Sequence, residues 1–425
     1  MWSPSSASLP RRPGLGSSWT RSASALVVAL SVAVGALLAT AAGPAAAARP
    51  VLDARPAVGA RPAAAPVPLE LGPAGDAFYT PPSPLPLGRP GDVIRYRPVA
   101  LPRSLSARGY LVMYLSRTAT GHADAVTGTV LVPLAPGPGS VPIVGVGPGT
   151  QGLGDQCATS KSLARGLLFS DYYLDNLLGH GWAVAVTDYE GLGTPGDHTY
   201  AVGQSEGRAL IDVVRAAQRL PAAGLSTSAK VGFYGYSQGG GAAAWAAQLQ
   251  PGYAPDLKLT GVAAGGIPAD LYVVARSLDG SVAAALLGYA ASGLNAAYPG
   301  LKLDSYLTPY GQQVIAALRT SCADTGLLPY AFVHLSQLVT KDPLATAVWQ
   351  RRLAENSLGR QAPGAPVFLW HGLADEVLPF SQADALQRAW RQLGAVVTWR
   401  PFVAEHVTGA IGSLDAITFL ATRLA

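Results

Sequence analysis

The chain has 425 residues and a formal charge of +5, with 49% hydrophobic and only 13% charged residues, against roughly 25% charged in an average soluble domain. That balance excludes a disordered polymer, a collagen-like fibre and a coiled coil, and two cysteines exclude a disulfide-stapled scaffold. Residues 1–48 hold three arginines and no acid, so the remainder carries 5 − 3 = +2, far from the concentrated basic face that nucleic acid requires.

In chain order, a Ser/Pro/Arg-rich opening leads into the apolar run Ala25 to Ala42 and then Ala46-Ala47-Ala48. These are the n, h and c regions of a secretory signal peptide over 1–48, with cleavage near Ala48. The run is long for an h-region, so an uncleaved anchor is the alternative. Arg11-Arg12 is followed at once by Pro13, a poor twin-arginine signal. Residues 49–75, dominated by Ala and Pro without periodicity, read as a flexible linker or propeptide. No later stretch is apolar enough to span a bilayer, and the expectation is a soluble extracellular protein. In such a compartment Cys157 and Cys322 either pair or remain as two separate buried thiols. Pairing would restrict the unfolded chain by about 5 kcal/mol in the entropic model.

From Asp76 to Ala425 the pattern is that of one folded unit. Residues 109–117 and 125–132 flank a Gly/His/Asp turn and predict an antiparallel hairpin. Buried strands are predicted at 141–146, 182–187, 231–234, 259–264, 367–370 and 396–399, with amphipathic helices at 204–220 and 379–393 among them. Strand-length apolar runs alternating with helices predict an α/β fold with a mostly parallel central sheet, its hairpin forming an antiparallel edge. One interval breaks the rhythm. About residues 267–365, rich in Ala, Leu and Tyr, read as an inserted helical cap, since a structureless loop of that length is improbable in a compact domain.

Chemistry enters at Gly235-Tyr236-Ser237-Gln238-Gly239, a G-x-S-x-G pattern. With 49 glycines in the chain, chance alone supplies roughly 0.4 such matches, so context must decide. Upstream, Val231 to Tyr234 reads as a short strand; downstream, Gly239-Gly-Gly-Ala-Ala-Ala reads as a small-residue helix. That order suits a nucleophile elbow, where a serine sits in a strained strand-to-helix turn above free helix amides. A hydroxyl needs a base, and the base needs an acid to hold its tautomer, in the chain order Ser, acid, His. His406 alone among six histidines lies in a loop after both the elbow and a late acid. Asp375, in the loop after the Val367 strand, is the expected acid, with adjacent Glu376 as the alternative. Glu376 and Glu405 read as solvated neighbours, and His371 as a structural turn residue. Oxyanion donors are expected from Gln238 and from the glycine-rich loop 147–155, through Thr150 or Gln151. No HExxH or His-x3-His spacing accompanies the cysteines, so neither metal nor organic cofactor is expected.

Five spaced segments together resemble the secretory lipase family, the lipase A type, over about Asp76 to Ala425: Phe78 to Pro86, Gly149 to Cys157, Gly235 to Ala242, Gly261 to Asp270 and Trp370 to Asp375. The resemblance implies an α/β-hydrolase with a helical lid between nucleophile and acid. It gives Ser237 the nucleophile role, Asp375 the acid and His406 the base, and it implies a Cys157–Cys322 disulfide from the oxyanion-loop region to the lid. It also brings in Asp155 as a carboxyl that could support the oxyanion. Pro148-Gly149 stands where many hydrolases carry His-Gly, leaving the donor on that loop open.

The expectation is therefore a secreted serine carboxylic-ester hydrolase, a triacylglycerol lipase working through an acyl-enzyme, with an acyl-ester or lipid substrate at a lipid–water interface. It has no nucleic-acid ligand and no obligate protein partner. The alternatives are a short-chain esterase, an acyltransferase or a serine peptidase on the same fold, and a non-catalytic hydrolase-like binding protein.

Overall fold

A computed structural model of the chain describes residues 69–137, 139–166 and 171–425. The signal-peptide segment 1–48 and most of the 49–75 linker lie outside the described residues.

Nine strands form one sheet: β1 (Val93–Val99), β2 (Ala107–Arg117), β3 (Ala123–Pro133), β4 (Ile143–Gly147), β5 (Ala183–Thr187), β6 (Val231–Tyr236), β7 (Leu259–Gly265), β8 (Val367–Gly372) and β9 (Val397–Phe402), in the spatial order β1-β2-β3-β5-β4-β6-β7-β8-β9. From β1 to the β3–β5 pair the neighbours run antiparallel, and from β5 to β9 they run parallel. The fold is thus α/β with a mostly parallel sheet, and the predicted hairpin is β2–β3, paired from Ala107↔Pro133 to Arg117↔Ala123. Strand β1 was not predicted. Its sequence, Val-Ile-Arg-Tyr-Arg-Pro-Val, carries two arginines and a proline and is only half-buried, which suits an edge strand and hides the period of a core one.

The described helices are α1 (Thr159–Ala164), α2 (Asp171–Gly179), α3 (Gly203–Arg219), α4 (Gln238–Tyr253), α5 (Leu271–Leu278), α6 (Ala285–Ala297), α7 (Pro309–Arg319), α8 (Ala323–Gly326), α9 (Leu335–Leu338), α10 (Ala347–Glu355), α11 (Phe380–Gln392) and α12 (Ser413–Leu424), of which α1 to α4, α11 and α12 cover the two faces of the sheet. Alternation along β8 shows the two layers. Val367 and Leu369 pack with α3, α4 and α11, whereas Phe368 and Trp370 pack with α2 and α12. A strand covered on both faces must be apolar at every position, which is why these strands read as continuous runs. Helix α4 is buried nearly throughout, and its Gly/Ala sequence lets it lie close to α3: an added Cβ at Gly207 of α3 would come within 2.8 Å of the Trp245 Cβ.

Between β7 and β8 lie α5 to α10 and several short 3₁₀ turns, with no sheet strand among these residues. Buried Leu294, Leu301, Ile315, Trp349 and Leu353 give the interval an apolar core of its own. It is fastened to the loop after β4. Cys157 and Cys322 form a disulfide with Cα atoms 5.4 Å apart, Gly152 bridges Cys322, and the Ala323 N–H donates to Gln151 O at 2.8 Å. None of the described helices is long and apolar enough to cross a membrane.

Candidate active site

Because β6, β8 and β9 run parallel, their C-terminal ends open onto one edge of the sheet. Strand β6 stops at Tyr236 and α4 begins at Gln238, leaving Ser237 alone in the turn at φ 59°, ψ −123°. A non-glycine residue in that region is strained and must be held there by its surroundings. Its surroundings are crowded backbone. A Cβ at Gly239 would sit 1.9 Å from Gly147 O and one at Gly240 2.1 Å from Gly265 O, so both positions require glycine. The Ser237 N–H donates to Gly265 O at 3.0 Å, tying the turn to β7.

His406 lies in the loop after β9 and Asp375 in the loop after β8. The structure brings them to the serine. His406 Nε2 is 3.0 Å from Ser237 Oγ, and His406 Nδ1 is 2.8 Å from Asp375 Oδ2. With Nδ1–H donating to the carboxylate, Nε2 is free to accept the serine proton. Burial alone would raise the Asp375 carboxyl, but the bonds from His406 and from the Leu378 N–H outweigh it and hold it below the ordinary carboxylate value.

The surrounding shell fixes the loops. Tyr236 donates its hydroxyl to His406 O at 2.5 Å, and Glu376 accepts the His406 N–H at 3.1 Å. Glu376 therefore braces the histidine loop, a role beyond that of a solvated neighbour. Glu405 is exposed and accepts the Val407 and Thr408 N–H groups, closing the turn beyond His406. His371 belongs to β8 and not to the turn after it. It is fully buried, pairs in register with Pro401, and sits 2.8 Å from Leu378 O, bracing the Asp375 loop. Burial lowers its pKa despite the nearby Asp375.

The expected oxyanion residues are placed differently from one another. Gln238 opens α4, so its backbone N–H belongs to the first turn and has no partner within the helix. Its side chain is buried, with Nε2 2.8 Å from Glu206 Oε1 and 3.1 Å from His198 Nε2. Thr150 pairs its hydroxyl with Tyr200 at 2.8 Å, and Gln151 donates its side-chain amide to Gly149 O at 2.9 Å. Asp155 is exposed and accepts the Gly193 N–H at 3.1 Å. Thr150, Gln151 and Asp155 are not among the residues lining the cavity at Ser237.

That cavity is apolar. Ser237, Gln238 and Glu206 form its sheet end, and Leu271, Val274 and Leu278 of α5, Leu286 and Leu294 of α6, and Trp349 and Leu353 of α10 continue it. Among the described residues no group of three or more His, Cys, Asp or Glu side chains is placed to hold a metal ion. The sequence reading missed Glu206 and His198, since neither stands in a motif and an acid in the first turn of a helix ordinarily faces water.

A family model described as secretory lipase matches residues 163–425. The chain is 31% identical to a secreted triacylglycerol lipase of Malassezia globosa, covering 82% of this chain and 78% of that one. It is 30% identical to a probable inactive lipase of Mycobacterium tuberculosis, covering 79% and 78%. Among solved structures it is similar to Candida antarctica lipase A in its closed state, with a TM-score of 0.74 and 26% identity over 82% of this chain and 85% of that one. By the family match, these relatives and the fold they share, the chain belongs to the secretory lipase family.

Proposed function

We propose that this lipase hydrolyses acylglycerol esters outside the cell, with Ser237 as nucleophile, His406 as base and then acid, and Asp375 orienting His406. Family membership alone does not carry the reading, because one relative bears the name of a probable inactive lipase. The carrying observation is the unbroken hydrogen-bonded path from Ser237 Oγ through His406 to the buried Asp375. Ser237 Oγ attacks the ester carbonyl while His406 Nε2 takes its proton. The carbonyl oxygen becomes an oxyanion facing the first amides of α4, including that of Gln238. Collapse breaks the bond to the alkoxide, which receives the proton from His406. Water, activated by the same imidazole, then cleaves the acyl-enzyme.

The apolar cavity beside Ser237 supports a fatty acyl chain over a peptide or an acetyl group. A lipid–water interface fits the exposed Val403, Val407 and Ile411 around the His406 loop. The extracellular assignment rests on the signal-peptide pattern of residues 1–48 and on relatives named as secreted. Ser237→Ala should abolish hydrolysis of p-nitrophenyl esters and triolein while circular dichroism stays unchanged. Wild-type enzyme should prefer long acyl chains to acetate. Turnover by folded Ser237→Ala would remove the mechanism, and a preference for acetate would turn the reading towards a short-chain esterase.

A further inference from the structure

At the sheet end of the cavity, beside the elbow, lies a buried cluster of which the hydrolytic steps above use only the Gln238 backbone amide. Glu206, in the first turn of α3, is 2% exposed. One of its oxygens, Oε1, accepts two bonds, from the Ala201 N–H at 2.9 Å and from the Gln238 side-chain amide at 2.8 Å. The second N–H of that amide points to His198 Nε2 at 3.1 Å, while His198 Nδ1 faces Glu190 O at 2.8 Å. Burial depresses the His198 pKa to about 4, so the ring is neutral and its Nε2 is an acceptor.

The same cluster reaches the other side of the oxyanion site. Tyr189 stacks on His198 with centroids 5.8 Å apart, and its hydroxyl donates to Pro148 O at 2.8 Å. Tyr200 meets His198 edge-on at 6.0 Å, and its hydroxyl pairs with Thr150. Ala201, whose N–H Glu206 accepts, has φ 62° and needs that hold. The backbone at Gln238 and the loop at 148–150, which come from different strands, are thus anchored on one buried unit.

From this arrangement we infer that Glu206 is a positioning residue for ester hydrolysis: it grips the Gln238 side chain and the Tyr200–Ala201 turn, and so sets the elbow amide and the 148–150 loop at the distance an oxyanion requires. The inference rests on the Ser237 reading above. Glu206 makes no bond of its own to the reacting ester in this role. Its effect passes through Gln238, and a shift of a fraction of an ångström there weakens donors that matter only in the transition state.

The test uses the secreted full-length enzyme and a soluble long-chain p-nitrophenyl ester. Glu206→Ala and Gln238→Met should each lower kcat about 10- to 100-fold, with KM moving less than about threefold. The double variant should fall no more than about threefold below the worse single, because both cut one link. Glu206→Gln, whose amide oxygen can still accept both bonds, should recover most of the loss. An alkylboronic acid, which forms a tetrahedral adduct on a serine, should lose affinity in proportion to kcat. A folded Glu206→Ala or Gln238→Met within about twofold of wild-type kcat, a loss carried by KM, or losses that multiply in the double variant would overturn the inference. If Glu206→Ala does not accumulate as folded protein, Gln238→Met and the boronate decide. Ser237→Ala run alongside separates the two failures: activity in that variant sinks the nucleophile reading, whereas its inactivity with an unaffected Gln238→Met sinks only the role of Glu206.

Discussion

At the scale of single residues, the proposed role of His406 as base depends on the carboxylate opposite it. Asp375 accepts from His406 Nδ1–H and from the Val377 and Leu378 N–H groups, and is held ionised below its usual range. An asparagine has a single acceptor oxygen: kept on the Val377 and Leu378 N–H groups, it turns its NH2 to Nδ1, which must then accept, and that forces the wrong tautomer. Asp375→Asn should therefore lower kcat by about 10³- to 10⁴-fold with little change in KM or folding, measured by steady-state hydrolysis; a loss under about tenfold would remove Asp375 from the orienting role. Chain order and loop position point to Ser237, Asp375 and His406, whose side chains the structure brings within hydrogen-bonding distance, because the elbow and the two late loops leave local marks. Glu206 and His198 left none. Their importance comes from what packs over them, and an acid near a helix start looks the same in sequence whether water or Gln238 stands opposite.

Among the elements, the β6–Ser237–α4 turn shows how position decides the worth of a glycine. A methyl at Gly239 would collide with the carbonyl of Gly147, which is backbone in the centre of the sheet and cannot yield. Thirteen residues nearer its C-terminal end, the same helix has Gly252, exposed and with nothing within 4 Å of an added Cβ. Gly239→Ala should cost about 3 kcal/mol or more through overpacking. Gly252→Ala should be neutral or stabilising by about 0.5 kcal/mol, because alanine restricts the unfolded chain. Urea midpoints of the two variants check the pair, and equal effects would contradict the packing. Periodicity found the elbow's strand and helix, since both are long buried runs or small-residue stretches. It found β9 only at Val397 to Trp399, because the remaining residues, Arg400, Pro401 and Phe402, are those of an exposed edge. The placing of β5 between β3 and β4 was beyond it, because adjacency in a sheet is settled by crossovers and not by the sequence of either neighbour.

Across the whole molecule, pH couples the site to stability through the buried Glu206. Burial raises its pKa from 4.5 to about 7, opposed by the bonds from Gln238 and Ala201. The folded state therefore binds a proton that the unfolded chain releases, and the sign follows. Glu206 contributes its full stabilisation below about pH 4.5, loses it as pH rises through 7, and changes nothing further above that. Over that window the loss is on the order of 3 kcal/mol. His198 acts in the opposite sense. Its pKa falls from 6.5 to about 4 on folding, so the unfolded state binds the extra proton and stability rises with pH between those values. The wild-type profile sums both and does not isolate either. The difference between wild type and Glu206→Gln does, because glutamine keeps the size and the acceptor oxygen but cannot titrate. Urea unfolding of both proteins from pH 4.5 to 8 should show wild type losing about 3 kcal/mol relative to the variant, with the change centred between pH 5 and 7 and a plateau above. A constant difference across the range would mean that Glu206 does not change its protonation on folding, and that water reaches the carboxylate at the sheet end of the cavity.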